Sequence, residues 1–280
     1  MINNYLERQI KENFHFQPTS EQEKAIETLS EFLLSHTSEE IFILRGYAGT
    51  GKTSLVGALV KTMDALKQKS ILMAPTGRAA KVFSLYAGHS AFTIHKKIYR
   101  QKTFSNEQTN FSLNDNLYQH TLFIVDEASM IANDGLSGSV FGTGRLLDDL
   151  IQYVYSGTGC RLLLMGDTAQ LPPVGEEESP ALSATALKGY GLHVREIDLT
   201  QVVRQLSDSG ILWNATSLRR LIAMEELFEF PKVRFSCFAD ICNLSGNELI
   251  ETLEESYQRY GMEETMVICR SNKRANLYNN

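Results

Sequence analysis

Apolar residues along this chain fall into short unbroken runs, each ending in a polar or glycine-containing turn and followed by a helical pattern. The runs are IFILRG (41–46), SILMAP (70–75), TLFIVDE (121–127), RLLLMGD (161–167), EIDLT (196–200) and TMVICR (265–270). Continuous rather than alternating apolarity marks strands covered on both faces, as in a parallel sheet. Between them, SEQEKAIETLSEFLL (20–34) places Ala25, Ile26, Leu29, Phe32 and Leu33 on one helical face, with a capping box read at Ser20 and Glu23. TSLVGALVKTM (53–63) is a second helical stretch, and ELIETLEESYQRYG (248–261) is a third that closes on a glycine. Strands alternating with helices predict an α/β fold, a mostly parallel sheet flanked by helices. Two stretches break the rhythm: 96–118 is polar, and 201–264 reads as helical or irregular. The predicted organisation is a first lobe over 1–205 and a second segment over 206–280.

Composition changes this picture little. A chain of 280 residues with 43% apolar and 21% charged residues can bury a substantial core. The net charge of −6 means that any nucleic-acid contact must use a local basic strip. The four cysteines, at 160, 237, 242 and 269, form no CxxC pair, so free thiols in a reducing compartment are expected rather than a metal site. The N-terminal MINNYLERQIKENF lacks a signal pattern, and no apolar run approaches the ~20 residues that span a bilayer. The expected location is cytoplasmic, without a membrane partner.

The chemistry concentrates in RGYAGTGKTS (45–54), directly after an apolar run. Gly46, Gly51, Lys52 and Thr53 fit G-x-x-x-x-G-K-[ST], and the position between a strand and a helix is the context that motif requires. Glycines let backbone amides approach phosphate oxygens, and the helix start adds unsatisfied N–H groups and a positive dipole end. The loop residues Gly46, Ala48, Gly49, Thr50, Gly51, Lys52, Thr53 and Ser54 are therefore the expected phosphate cradle, with Lys52 on the β and γ phosphates and Thr53 on Mg²⁺. The competing reading is a glycine-rich turn with a surface lysine. Hydrolysis further needs a metal-holding carboxylate and a water-orienting group. Asp126, at a strand end, suits the first role and the adjacent Glu127 the second.

The ordered segments GYAGTGKTS, APTGRAAK (74–81), TIH (93–95), VDEASM (125–130), GDTAQLPPVG (166–175) and VVRQ (202–205) resemble those of superfamily 1 helicases of the RecD/Dda-like, 5′-to-3′ branch. FQPTSEQEKAI (16–26) is similar to that family's Q motif, and VICRSNKRANLYN (267–279) looks like the opening of a second motor lobe. The resemblance implies a RecA-like P-loop NTPase that uses ATP and Mg²⁺ to move along single-stranded DNA and open duplex at single/double-strand junctions. It names no accessory protein. It implies that Gln22 reads adenine, Gln170 senses the γ-phosphate or its attacking water, and Arg204 is an arginine finger; a structural carboxylate partner is the alternative for Arg204.

DNA contacts are expected from Pro75, Thr76, Arg78 and Lys81, at a strand end and helix start, and from the basic stretch HKKIYRQKTF (95–104). In that stretch His95, Lys97, Arg100 and Phe104 are the candidates, with solvated surface charge as the alternative. RQKTFSNEQTNFSLND (100–115) reads as two short strands around a polar turn. The resemblance implies a duplex-splitting β-hairpin there, and Phe104 or Phe111 is the expected stacking surface. After 205 only one strand is expected, too few for a second RecA-like lobe, so the chain is read as a fragment or truncated product. Three functions follow: a DNA-dependent ATPase motor, an ATP- and single-strand-binding module without turnover, or a P-loop protein of unrelated purpose.

Overall fold

A computed structural model of the chain describes residues 2–102, 110–133, 135, 140–202, 209–223 and 230–278. They divide between two compact units, 1–204 and 205–280.

The first unit begins with helices α1 (Ile2–Asn13) and α2 (Ser20–Leu34), then strand β1 (Glu40–Gly46), α3 (Lys52–Ala65), β2 (Lys69–Ala74) and α4 (Gly77–Ala87). A short strand β3 (Ala91–Thr93) and helix α5 (Ile94–Ile98) lead into β4 (Tyr99–Lys102) and β5 (Asn110–Leu113). Then come β6 (Thr121–Val125), α6 (Leu146–Tyr155), β7 (Arg161–Gly166), α7 (Ala184–Lys188) and β8 (His193–Leu199). Six strands form one sheet in the order β3-β2-β6-β7-β1-β8, every pairing parallel.

Side-chain alternation explains the layers, because successive residues of a strand face opposite sides. Phe42 and Leu44 of β1, Ile124 of β6 and Leu163 and Met165 of β7 pack with the helical layer of α1, α2 and α3. Ile41, Ile43, Phe123, Val125, Leu162 and Leu164 point the other way, against α5 and α6. These strands therefore read as unbroken apolar runs.

Several expectations are corrected at the edges. β8 begins at His193, ahead of the apolar signal, because an edge strand exposes charged residues such as Arg195, Glu196 and Asp198. The N-cap of α2 is Thr19, not Ser20, and the capping box closes on Gln22, not Glu23. β4 and β5 do pair antiparallel, Tyr99 opposite Leu113 and Lys102 opposite Asn110; the turn between them lies outside the described residues. In the second unit, α8 (Gly210–Ala223), α9 (Leu249–Tyr260) and α10 (Asn272–Tyr278) are helical. The run 265–270 forms no strand: Met266 and Ile268 are exposed, and a strand needs a neighbour to pair with. Among the described residues no helix is long and apolar enough to cross a membrane.

Candidate functional site

Parallel strands put all their carboxyl ends on one rim, and the sequence-predicted nucleotide residues gather there. The loop after β1, the Asp126–Glu127 turn after β6 and the Asp167–Gln170 turn after β7 line one cavity of about 650 Å³. Gln22, Ala48, Gly49, Gly51, Lys52, Thr53 and Ser54 line it too, with Phe14, Phe16 and Tyr86.

Local forces shape the glycine loop. Gly51 has φ +86°, the left-handed region, and a Cβ there would come within 2.6 Å of Gln22 Nε2. Thr50 is fully buried and its hydroxyl donates to the Tyr47 carbonyl at 2.8 Å. Lys52 Nζ donates to the loop's own carbonyls, Gly46 and Tyr47, the latter at 3.0 Å. The loop is thus curled around its own cation. Asp167, which the sequence reading did not single out, braces it: Oδ2 accepts from the Ala48 N–H at 3.1 Å and Oδ1 from Ala169 at 2.9 Å. Its place in GDTAQ, at a strand end, was the available signal.

Gln22 is 2% exposed. Its Oε1 accepts from the Thr19 N–H at 2.9 Å and its Nε2 donates to the Thr50 carbonyl at 2.9 Å. One donor and one acceptor of the amide are therefore spent joining α2 to the glycine loop. One N–H and one lone pair are left for a base edge.

Asp126 Oδ1 accepts from the Glu127 N–H at 2.8 Å. Burial pushes the Asp126 pKa up to about 6; the Glu127 N–H and Lys52 pull it down, while the Glu127 charge pushes it further up. Glu127 itself stands at φ 53°, uncommon for a residue other than glycine, asparagine or aspartate. Such strain persists where surrounding structure enforces it. Next to it, the Ser129 hydroxyl bonds Gln170 Oε1 at 3.0 Å.

The fit to Mg²⁺ follows from the donors. Among the described residues no cluster of three or more His, Cys, Asp or Glu could hold a metal by itself. A threonine hydroxyl and one carboxylate, both hard oxygen donors on one cavity wall, suit an ion that takes its remaining ligands from water and phosphate oxygens.

The other predicted residues scatter. Thr76 caps α4, its Oγ1 accepting from Ala79 N–H at 3.2 Å, with Pro75 just before it and Arg78 and Lys81 exposed on the helix. The basic stretch is different. Lys97 Nζ donates to the Tyr118 hydroxyl at 2.6 Å and lies over the Phe92 ring at 4.9 Å. Arg100 pairs with Asp115 at 3.2 Å. His95 packs edge-on against Phe141, centroids 4.9 Å apart, and burial lowers its pKa. Phe111, expected on a pin, lies opposite Gln101 in the β4–β5 pair and stacks on Phe141 with centroids 4.6 Å apart and planes at 22°. That face is covered because the apolar core extends to it. Phe104 and Arg204 lie outside the described residues.

The geometry is that of a phosphate-binding α/β domain. The chain belongs to the AAA domain family, whose sequence profile matches residues 17–221. It is similar to the ATP-dependent RecD2 DNA helicase of Deinococcus radiodurans, 31% identical over 179 residues, which is 64% of this chain and 21% of that protein. It is also similar to the ATP-dependent DNA helicase Pif1 of Bdellovibrio bacteriovorus, 30% identical over 158 residues, 56% of this chain and 34% of that one. The crystal structure of Pif1 helicase from Candida albicans aligns at 17% identity with a TM-score of 0.49, covering 87% of this chain and 55% of that one. The two curated relatives bear out the resemblance to RecD-type superfamily 1 helicases. The chain spans about a fifth to a third of the length of these two curated relatives.

Proposed function

We propose that this chain is the nucleotide-hydrolysing part of an ATP-dependent DNA helicase that moves 5′ to 3′ on single-stranded DNA. The observation that carries this reading is the convergence of the glycine loop, Asp126–Glu127 and Asp167–Gln170 on one cavity at the strand ends. The names of the relatives support ATP use and a DNA substrate, and the resemblance of the ordered motifs supports the polarity.

In this reading the loop amides from Gly46 to Thr53 bind the phosphates. Lys52 exchanges the carbonyls of Gly46 and Tyr47 for the β and γ phosphates, a stronger partner because the pair is charge-assisted. Thr53 and Asp126 would hold Mg²⁺, which would supply neutralisation of phosphate charge. Glu127 takes the proton of the attacking water, and Gln170 meets the terminal phosphate. Arg204 completes the transition-state charge. Gln22 offers its remaining N–H and lone pair to adenine. Pro75, Thr76, Arg78 and Lys81 meet the DNA backbone at the neighbouring strand end, with junctions as the natural substrate. The free thiols suit a cytoplasmic protein.

The test is ATP hydrolysis with and without single-stranded DNA, beside Lys52→Ala and Glu127→Gln. DNA-stimulated turnover lost in both variants is expected. Nucleotide binding without turnover would reduce the chain to a binding module, and no nucleotide binding would overturn the reading.

A further inference from the structure

Gln170 is exposed at the rim of the cavity, where a glutamine amide ordinarily turns among rotamers and between its two flips. Its Oε1, however, is bonded to the hydroxyl of Ser129, a residue only 1% exposed and 41 positions earlier in the chain. Ser129 is fixed in turn. It sits in a single helical turn, Ala128–Met130, immediately after Glu127, and the end of β7 presses against it. A Cβ on Gly166 would come within 3.1 Å of the Ser129 nitrogen. A buried hydroxyl therefore holds one end of an exposed amide.

We infer that Ser129 is a positioning residue for Gln170, holding the amide by its oxygen so that its N–H groups face a terminal phosphate. The chemistry demands this polarity. A phosphate oxygen needs donors, and an amide turned the other way would present its own oxygen to an anion. With the oxygen taken by Ser129, the N–H groups are what remains to offer. The hydroxyl also holds the side chain before ligand arrives, so less rotamer entropy is lost on binding. Because Glu127 and Ser129 share one turn, the water-activating group and the phosphate sensor move as a unit. This inference rests on the proposed nucleoside triphosphate site.

The experiment is equilibrium titration of the 280-residue chain with Mg²⁺–ADP and with a Mg²⁺-bound non-hydrolysable ATP analogue. The variants are Ser129→Ala, Ser129→Cys, Gln170→Ala and Ser129→Ala/Gln170→Ala. Cysteine keeps the buried volume and supplies only a weak donor, so it serves if alanine fails to fold. In Ser129→Ala and Ser129→Cys the analogue is expected to bind about five- to tenfold more weakly, with ADP affinity within about twofold of the parent. The double variant should be no worse than Gln170→Ala, since the two residues then act through one contact. Unchanged analogue affinity, additive losses, or a parallel loss of ADP binding marking a merely structural serine would each overturn the inference. If the parent chain binds neither nucleotide, the site reading itself fails and this inference with it.

Discussion

The first unit treats charge differently at the two ends of its sheet. At the β1–β7–β6 end, Asp167 and Asp126 accept backbone N–H groups of adjoining turns, and Lys52 is held by the loop it serves. Each charge is aimed into a cavity by local backbone. At the β2–β3 end, positive residues are more numerous but the protein itself has claimed several. Lys97 is taken by Tyr118 and Phe92, Arg100 by Asp115, and His95 is packed among rings. α4 presents exposed cations near its helix start, Arg78 and Lys81. A basic stretch in a sequence is thus no measure of a binding surface until the partners supplied by the same fold are subtracted.

The largest effect expected at the nucleotide end is that of Glu127. Glu127→Gln removes the proposed proton acceptor while keeping shape, so kcat should fall about 10²–10⁴-fold with nucleotide affinity nearly unchanged. A small effect on kcat would break the comparison, because the aimed charges would then be structural. Glu127→Gly offers a sharper version. It should be equally inactive yet more stable by about 1 kcal/mol in thermal unfolding, since glycine relieves the φ of 53°.

Next in size is the cost of aiming a carboxylate into a buried wall. Asp126 has its pKa raised from 3.8 to about 6, so the folded chain disfavours its ionised form relative to the unfolded chain. The metal-free protein therefore carries that cost at neutral pH, sheds it as pH falls through 6, and is free of it below about 4, where both states are protonated. Asp126→Asn should accordingly raise stability by about 1–3 kcal/mol at pH 7.5, and the gain should vanish near pH 4. Thermal melts at the two pH values check this. A gain that persists in acid would show that burial of charge is not its source.

The same contrast explains what was legible in the sequence. The glycine loop was readable because its local spacing suits phosphate, Asp126–Glu127 because a strand-end carboxylate pair gains meaning beside that loop, and the central strands because burial on both faces leaves unbroken apolar runs. β3 has only the residues Ala91–Thr93 and no run to announce it. TMVICR had the run but lacks a neighbouring strand, a tertiary requirement no window can show. Thr19 and Ser20 are both good caps, and the choice fell to Thr19 because it alone lets Gln22 close the capping box and reach the Thr50 carbonyl. The Ser129–Gln170 bond joins residues 41 apart, and the capture of Lys97 by Tyr118 joins residues 21 apart. Both depend on tertiary packing that no local window contains.

The smallest expected effect tests the subtraction directly at the other end. Arg78→Ala/Lys81→Ala removes exposed charge beside the helix start of α4, whereas Lys97→Ala removes a charge the protein already uses. Phosphate contacts contribute through counterion release, so losing two should weaken single-strand binding about tenfold and flatten its dependence on salt. Lys97→Ala should change DNA affinity less than about twofold while costing about 0.5–1 kcal/mol of stability, the worth of its cation–π contacts. Fluorescence titrations of a labelled oligonucleotide at two salt concentrations, with melts of each variant, separate the two. If Lys97→Ala weakens DNA binding as much as the α4 pair, its ammonium must leave Tyr118 for a phosphate, and cations bound within the fold would have to be counted as DNA contacts after all.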